Sequence, residues 1–176
     1  LGGTCLNRGC IPTRALVRGV EFLDLVKKAK EFGVNLGQPE VNFGKMLARK
    51  DTIVKTVVGG VELLMKENGV EVVKGEAKFL SPMVVEVRLA DGTSRQLAAT
   101  RIVIATGASP QRPTIPGGQD LITTDQALQF QEIPRSMLIL GGGAIGLAFA
   151  TILARLGASV TIAEKTAAIL PDVDRE

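Results

Sequence analysis

Leu16, Val20, Leu23, Val26, Ala29 and Phe32 recur at three- and four-residue spacing, the signature of an amphipathic helix. Pro12 suits the first helical position and Gly33 the stop, so the pattern predicts a helix between them, preceded by a loop opened by Gly2 and Gly3. A second apolar stripe, Ile53, Val57, Val61 and Leu64, predicts a helix that starts near Asn42 as N-cap and ends at Asn68-Gly69. The period then shortens to two. Residues 70–73, 84–89 and 96–98 read as strands, with Asp91-Gly92 as the hairpin turn between the last two. Residues 101–105 are almost wholly apolar and suit a buried strand. Residues 109–118 hold three prolines and two glycines and read as a linker. A short helix over 125–130, a strand over 137–140, a glycine turn, a helix to about Leu156 and a strand over 159–163 complete the chain as β–α–β. The expected fold class is therefore α/β.

Composition narrows the chemistry. In 176 residues, 45% are hydrophobic, enough for a sizeable core. The net charge of +3, scattered and without Trp or Tyr, argues against a nucleic-acid partner. Histidine is absent, which argues against a metal site and leaves any proton transfer to other groups. Residues 136–154 carry no charge and are long enough to span a bilayer, but four are glycines and the segment divides into strand and helix. No membrane span is expected. The N-terminal residues show no signal-peptide pattern, and two close cysteines do not resemble a secreted disulfide scaffold, so a cytoplasmic location is expected.

Two strings carry chemistry. The first is Gly2-Gly3-Thr4-Cys5-Leu6-Asn7-Arg8-Gly9-Cys10-Ile11-Pro12-Thr13. Cys10 lies just before the expected helix start, where the positive end of the helix favours a thiolate. Cys5 can reach Cys10 if the loop bends back at Gly9, and a disulfide closing so short a loop serves electron exchange better than stability. Two buried cysteines packed as small apolar groups are the alternative. The second string is Gly141-Gly142-Gly143-Ala144-Ile145-Gly146, a G-x-G-x-x-G turn between an apolar strand and a helix. Gly141 would allow the turn, Gly143 the approach of a pyrophosphate and Gly146 close helix–strand packing, with Ala144 and Ile145 opening the helix. Glu164, eighteen residues after Gly146, ends the next strand, where a carboxylate can accept from a ribose 2′-hydroxyl. A glycine cluster serving only packing is the alternative.

The cysteine string resembles the redox-active segment of the pyridine nucleotide–disulfide oxidoreductases, and Leu6-Asn7 with Ile11-Pro12-Thr13 is most similar to the dihydrolipoyl dehydrogenase branch. The resemblance implies a Cys5–Cys10 disulfide, with Cys5 as the exposed interchange thiol and Cys10 as the flavin-facing thiol. It implies FAD contacts at Thr4 and at Thr106, Gly107 and Ala108, which resemble the family's Ala-Thr-Gly segment. It also implies a backbone contact to the adenine at Ala77, and it makes the glycine turn the NAD site. Residues 1–116 would then be part of the FAD-binding domain, and 117–176 the first βαβ of a Rossmann-type NAD-binding domain.

The implied reaction passes electrons from a dithiol, dihydrolipoamide, through the Cys5–Cys10 disulfide and FAD to NAD. The implied partners are lipoyl groups of a 2-oxo acid dehydrogenase complex and, in the full-length protein, a second copy of the chain. The resemblance spans only the middle of a family member. It implies that the first FAD turn and the dimerisation domain with its His–Glu pair lie outside these residues, so that this stretch alone would be inactive. Alternatives are a mercuric or glutathione-type reductase, and a redox-sensing or NAD-binding protein without turnover. Two positions depart from the family. Arg14 stands where most relatives have Lys, near the flavin, and Ala148 stands where they have Glu. A guanidinium is not equivalent to an ammonium, and alanine removes the carboxylate.

Overall fold

A computed structural model describes residues 1–171, 173 and 174. Its elements, in chain order, are α1 (Gly3–Arg8), α2 (Cys10–Lys27), α3 (Phe43–Glu67), β1 (Glu76–Ser81), β2 (Val84–Arg88), β3 (Ser94–Ala98), α4 (Thr124–Ala127), β4 (Ser136–Leu140), α5 (Ala144–Arg155) and β5 (Ser159–Ala163). The fold is α/β. The chain divides into two compact units, one of Leu1 with Gly59–Ala108 and one of Gly2–Val58 with Ser109–Glu176.

The first unit holds the C-terminal part of α3 and an antiparallel meander, β1-β2-β3. Asp91-Gly92 forms the expected hairpin. Gly92 has φ +84°, and the Asp91 carboxylate accepts from the Thr93 N–H at 2.9 Å. Two expectations fail here. Residues 70–73 form no strand: the meander is complete with β1-β2-β3, and its outer edges stay without a further described strand. The strand that does form, β1, alternates Glu76, Ala77, Lys78 and Phe79, a pattern with too little apolar content to stand out. Residues 101–105 also form no strand. No described strand pairs with them, and Val103 and Ile104 are 88% and 71% exposed. An apolar run becomes a buried strand only where neighbours supply both ladder and cover.

The second unit contains the parallel pair β4 and β5 joined through α5, in the register Ser136↔Ser159 to Leu140↔Ala163. The uncharged stretch at 136–154 thus divides into strand and helix, and among the described residues no helix is long and apolar enough to cross a membrane. Helix α2 packs on α5. Leu16 and Val20 from α2, Leu47 from α3, Leu128, and Phe149 and Ile152 from α5 form one buried cluster. Val20 is 0% and Ile152 2% exposed, and each contributes about 2 kcal/mol by leaving water. Asp24 and Arg155 pair at 2.9 Å between the same two helices. Lys50, a buried cation, donates to the Leu128 carbonyl at 2.9 Å and pairs with Asp51.

The helices differ from expectation at their ends. The anticipated opening loop is the helix α1, and α2 begins at Cys10, two residues before Pro12. Pro12 fits because the first four N–H groups of a helix have no partner within it, so its missing donor costs nothing. At the far end α2 stops at Lys27, and a 3₁₀ turn, Ala29–Phe32, carries the chain to Gly33 at φ +75°. Asn42 caps α3 as expected, its carboxamide oxygen accepting from the Lys45 N–H at 2.9 Å. Helix α4 spans Thr124–Ala127 where a helix over 125–130 was expected, and the Gln126 carboxamide oxygen accepts from the Thr123 N–H at 2.8 Å at its start.

Candidate active site

Cys5 lies inside α1, and Cys10 is the first residue of α2. The break between the helices is Gly9, at φ −129° and ψ −113°. A Cβ on Gly9 would lie 3.0 Å from the Thr4 carbonyl oxygen and 3.2 Å from the Cys5 Cα. Glycine therefore lets α2 start directly against the turn that carries Cys5. Both cysteines are exposed thiols. The neighbouring Cys10 side chain, acting as a hydrogen-bond partner, pushes the pKa of the Cys5 thiol up from the ordinary value. Partial desolvation and the nearby Cys10 sulfur push the same way, and the Cys10 backbone N–H opposes them. The structure thus places the two residues that the sequence paired as neighbours across Gly9. Arg8, on the last turn of α1, pairs with Asp125 of α4 at 3.1 Å and ties this segment to the chain ahead of β4.

The glycine turn follows β4 as expected. Gly141 has φ +103°, and its N–H donates to the Ala163 carbonyl at 2.8 Å, closing the turn onto β5. A Cβ on Gly146 would fall 2.1 Å from the Gly141 carbonyl oxygen, so only glycine fits there. Gly143, the N-cap of α5, has open space where a side chain would stand, and no side chain caps the helix. The first N–H groups of α5, beginning at Ala144 and Ile145, are therefore free of side-chain partners and carry the helix's positive end. That donor set suits a pyrophosphate. Beside the turn is a cleft of about 700 Å³, walled by Met137, Ile139, Ile145 and Phe149 among others.

Glu164 reaches back to this turn. One carboxylate oxygen, Oε2, accepts from the Gly142 N–H at 2.6 Å. The other, Oε1, accepts from the Thr166 N–H at 2.9 Å and faces the Thr166 hydroxyl at 3.0 Å. These bonds, the Gly142 N–H first, hold its pKa down at about 2, so the carboxylate is charged through the neutral range. The Leu170 N–H donates to the Gly142 carbonyl at 3.1 Å, so the segment after β5 holds Gly142 by both its polar groups. Gly142 stood in the glycine string without a role of its own, and Thr166 did not stand out in the sequence. A hydroxyl two residues after a carboxylate is the only local signal for the second.

The other expected residues are placed as follows. Thr4 lies in α1 and Arg14 in α2, exposed, in the same unit as the glycine turn. Ala77 lies in β1, and Thr106, Gly107 and Ala108 lie in exposed coil, all in the other unit, with Gly107 at φ +80°. The residues present fit a dinucleotide at the glycine turn.

Comparison with known proteins gives the class first. Residues 1–176 match the profile of the pyridine nucleotide-disulphide oxidoreductases, and the chain belongs to that family. Among curated proteins it is similar to dihydrolipoyl dehydrogenases. It is 41% identical to that of Chlorobaculum parvum, over the whole of this chain and 38% of the relative. It is 41% identical to one from Bacillus subtilis, over 39% of the relative, and 40% identical to that of Thermus scotoductus, over 37%. The chain thus spans about two fifths of the length of the relatives it matches.

Proposed function

We propose that the full-length protein is a flavin-dependent disulfide oxidoreductase of the dihydrolipoyl dehydrogenase type, oxidising a dithiol and reducing NAD. The juxtaposition of Cys5 and Cys10 across Gly9 carries this reading, and the relatives' names support it. Bound FAD would supply two-electron transfer and NAD hydride acceptance. The chain's own residues do the thiol chemistry. In the oxidised pair, one thiolate of the substrate attacks Cys5 Sγ, the Cys5–Cys10 bond breaks and Cys10 leaves as thiolate. The second substrate thiolate attacks the sulfur bound to Cys5, releasing the Cys5 thiolate and a substrate disulfide. Two electrons pass to the cysteine pair and two protons leave the substrate.

Thr4, Arg14, Ala77, Thr106, Gly107 and Ala108 would contact FAD. The N–H groups of Gly143, Ala144 and Ile145 would hold the NAD pyrophosphate, with Gly141 and Gly146 shaping the turn and Glu164 facing the adenine ribose. On this reading residues 1–116 belong to the FAD-binding domain and 117–176 to the NAD-binding domain. The substrate would be lipoyl groups of a 2-oxo acid dehydrogenase complex, the working unit a homodimer and the location cytoplasmic. The test is dihydrolipoamide-dependent NADH formation by the full-length protein, its Cys5→Ser variant and its Cys10→Ser variant. Loss in both variants is expected, and retained turnover in either refutes the thiol exchange.

A further inference from the structure

A carboxylate offers about four acceptor positions, two on each oxygen. On Glu164, Oε2 takes one donor, the Gly142 N–H, and Oε1 is faced by two, the Thr166 N–H and the Thr166 hydroxyl. The hydroxyl has a single proton, yet a second acceptor stands nearer to it. The Ala168 carbonyl oxygen lies 2.8 Å from Thr166 Oγ1, against 3.0 Å for Glu164 Oε1. The proton can serve one of these at a time. While it points at Glu164, Oε1 is full and the carboxylate can accept one further hydroxyl, on Oε2. Once it turns to Ala168, each oxygen has one open position, which is what two neighbouring hydroxyls require. The turn leaves the Thr166 hydroxyl bonded, so it is nearly free of enthalpic cost.

We propose that Thr166 is a positioning residue that sets the dinucleotide selectivity of Glu164. Its hydroxyl clamps the carboxylate in the free protein and yields to a vicinal ribose diol by turning to Ala168. The inference rests on the reading of Glu164 as the ribose acceptor. A 2′-phosphorylated ribose lacks the second donor that would take the hydroxyl's place on Oε1. The clamp then stays shut and holds the negative carboxylate facing the phosphate. With the clamp removed, Glu164 retains its two backbone donors but can rotate away from a phosphate more readily.

The experiment uses the full-length protein and measures equilibrium binding of NADH and NADPH, without turnover, for wild type, Thr166→Val, Thr166→Ser and Glu164→Ala. Thr166→Val keeps the shape of the side chain and removes the hydroxyl. Its ratio of NADPH to NADH dissociation constants should fall about three- to tenfold, as expected for losing one hydrogen bond of ordinary net strength. Thr166→Ser should retain the wild-type ratio. An unchanged ratio in Thr166→Val, or a Ser variant that behaves like Val, overturns the proposal. If Glu164→Ala narrows the ratio and Thr166→Val does not, the clamp alone falls. If Glu164→Ala leaves the ratio unchanged, the ribose reading falls and the clamp with it.

Discussion

On the proposed function, the reacting atoms of the cysteine segment are side chains, and the backbone serves only to bring them together. In the glycine turn the ligand-facing atoms would be backbone N–H groups, and side chains must stay out of their way. Both places depend on a missing Cβ, but to different degrees. The Cβ absent from Gly9 would sit 3.0 Å from a carbonyl oxygen, a contact that a shift of a few tenths of an ångström relieves. The one absent from Gly146 would sit 2.1 Å from the Gly141 oxygen, inside a turn pinned to β5 by the Gly141 N–H, and nothing there can yield. A site made of side chains tolerates small backbone error, because two thiols can still find each other. A site made of backbone does not.

The largest expected effect lies in the first region and is purely chemical. Cys10→Ser should abolish dihydrolipoamide oxidation while leaving the melting temperature of the full-length protein within a degree or two. A large fall in that temperature would mean that the cysteine is chiefly a packing residue. Next, Gly146→Ala should destabilise by about 2–3 kcal/mol, the range for overpacking, whereas Gly9→Ala should cost about 1 kcal/mol. Denaturant midpoints check the order of the pair, and equal losses would erase the contrast between the two regions.

Glu164 supplies a smaller, pH-dependent effect. Its pKa is held at about 2 in the fold against an ordinary 4.5, because the Gly142 and Thr166 donors favour the charged form. A depressed carboxylate contributes stability that is fully present above the unfolded value and is lost as pH falls through the folded one. The loss should run from about pH 4.5 down toward 2, and Glu164→Gln should flatten stability across that window. A variant with the wild-type slope would show that the carboxylate is not held at the turn.

The smallest effect couples the two regions. Arg14 lies four residues beyond Cys10 on α2, Ala148 lies on α5, and these helices pack together. A double-mutant cycle of Arg14→Lys and Ala148→Glu, read as hydride-transfer rate in the full-length protein, should depart from additivity by more than about 0.5 kcal/mol. Additive effects would show that the departures from the family at these positions are independent.

The contrast also explains what the sequence disclosed. Where a segment finds its partners locally, its pattern was sufficient. The bounds of β5 match expectation and those of β4 differ by one residue, because strand, turn, helix and strand complete one another within thirty residues. The Asp91-Gly92 hairpin was legible for the same reason. Residues 101–105 have an equally apolar pattern and stay unpaired, since hydrophobicity names a need and not the neighbour that meets it. At the site, the cysteines and glycines announced themselves by type and spacing. The α1 helix did not, because two glycines at its start mask a helical turn that packing against Gly9 stabilises. Thr166 and the bond of Gly142 to Glu164 were hidden because they arise from a carboxylate just past β5 accepting from the turn after β4, which no periodicity records.

The central claim is the order of electron flow, with the cysteine pair standing between the dithiol and the flavin. It is tested most directly by mixing oxidised full-length protein anaerobically with either dihydrolipoamide or NADH and following flavin absorbance, in wild type and in Cys10→Ser. Both reductants should bleach the flavin of the wild type. In the variant NADH should still bleach it and dihydrolipoamide should not. Rapid bleaching of the variant by dihydrolipoamide would place the flavin in direct contact with the dithiol and contradict the account.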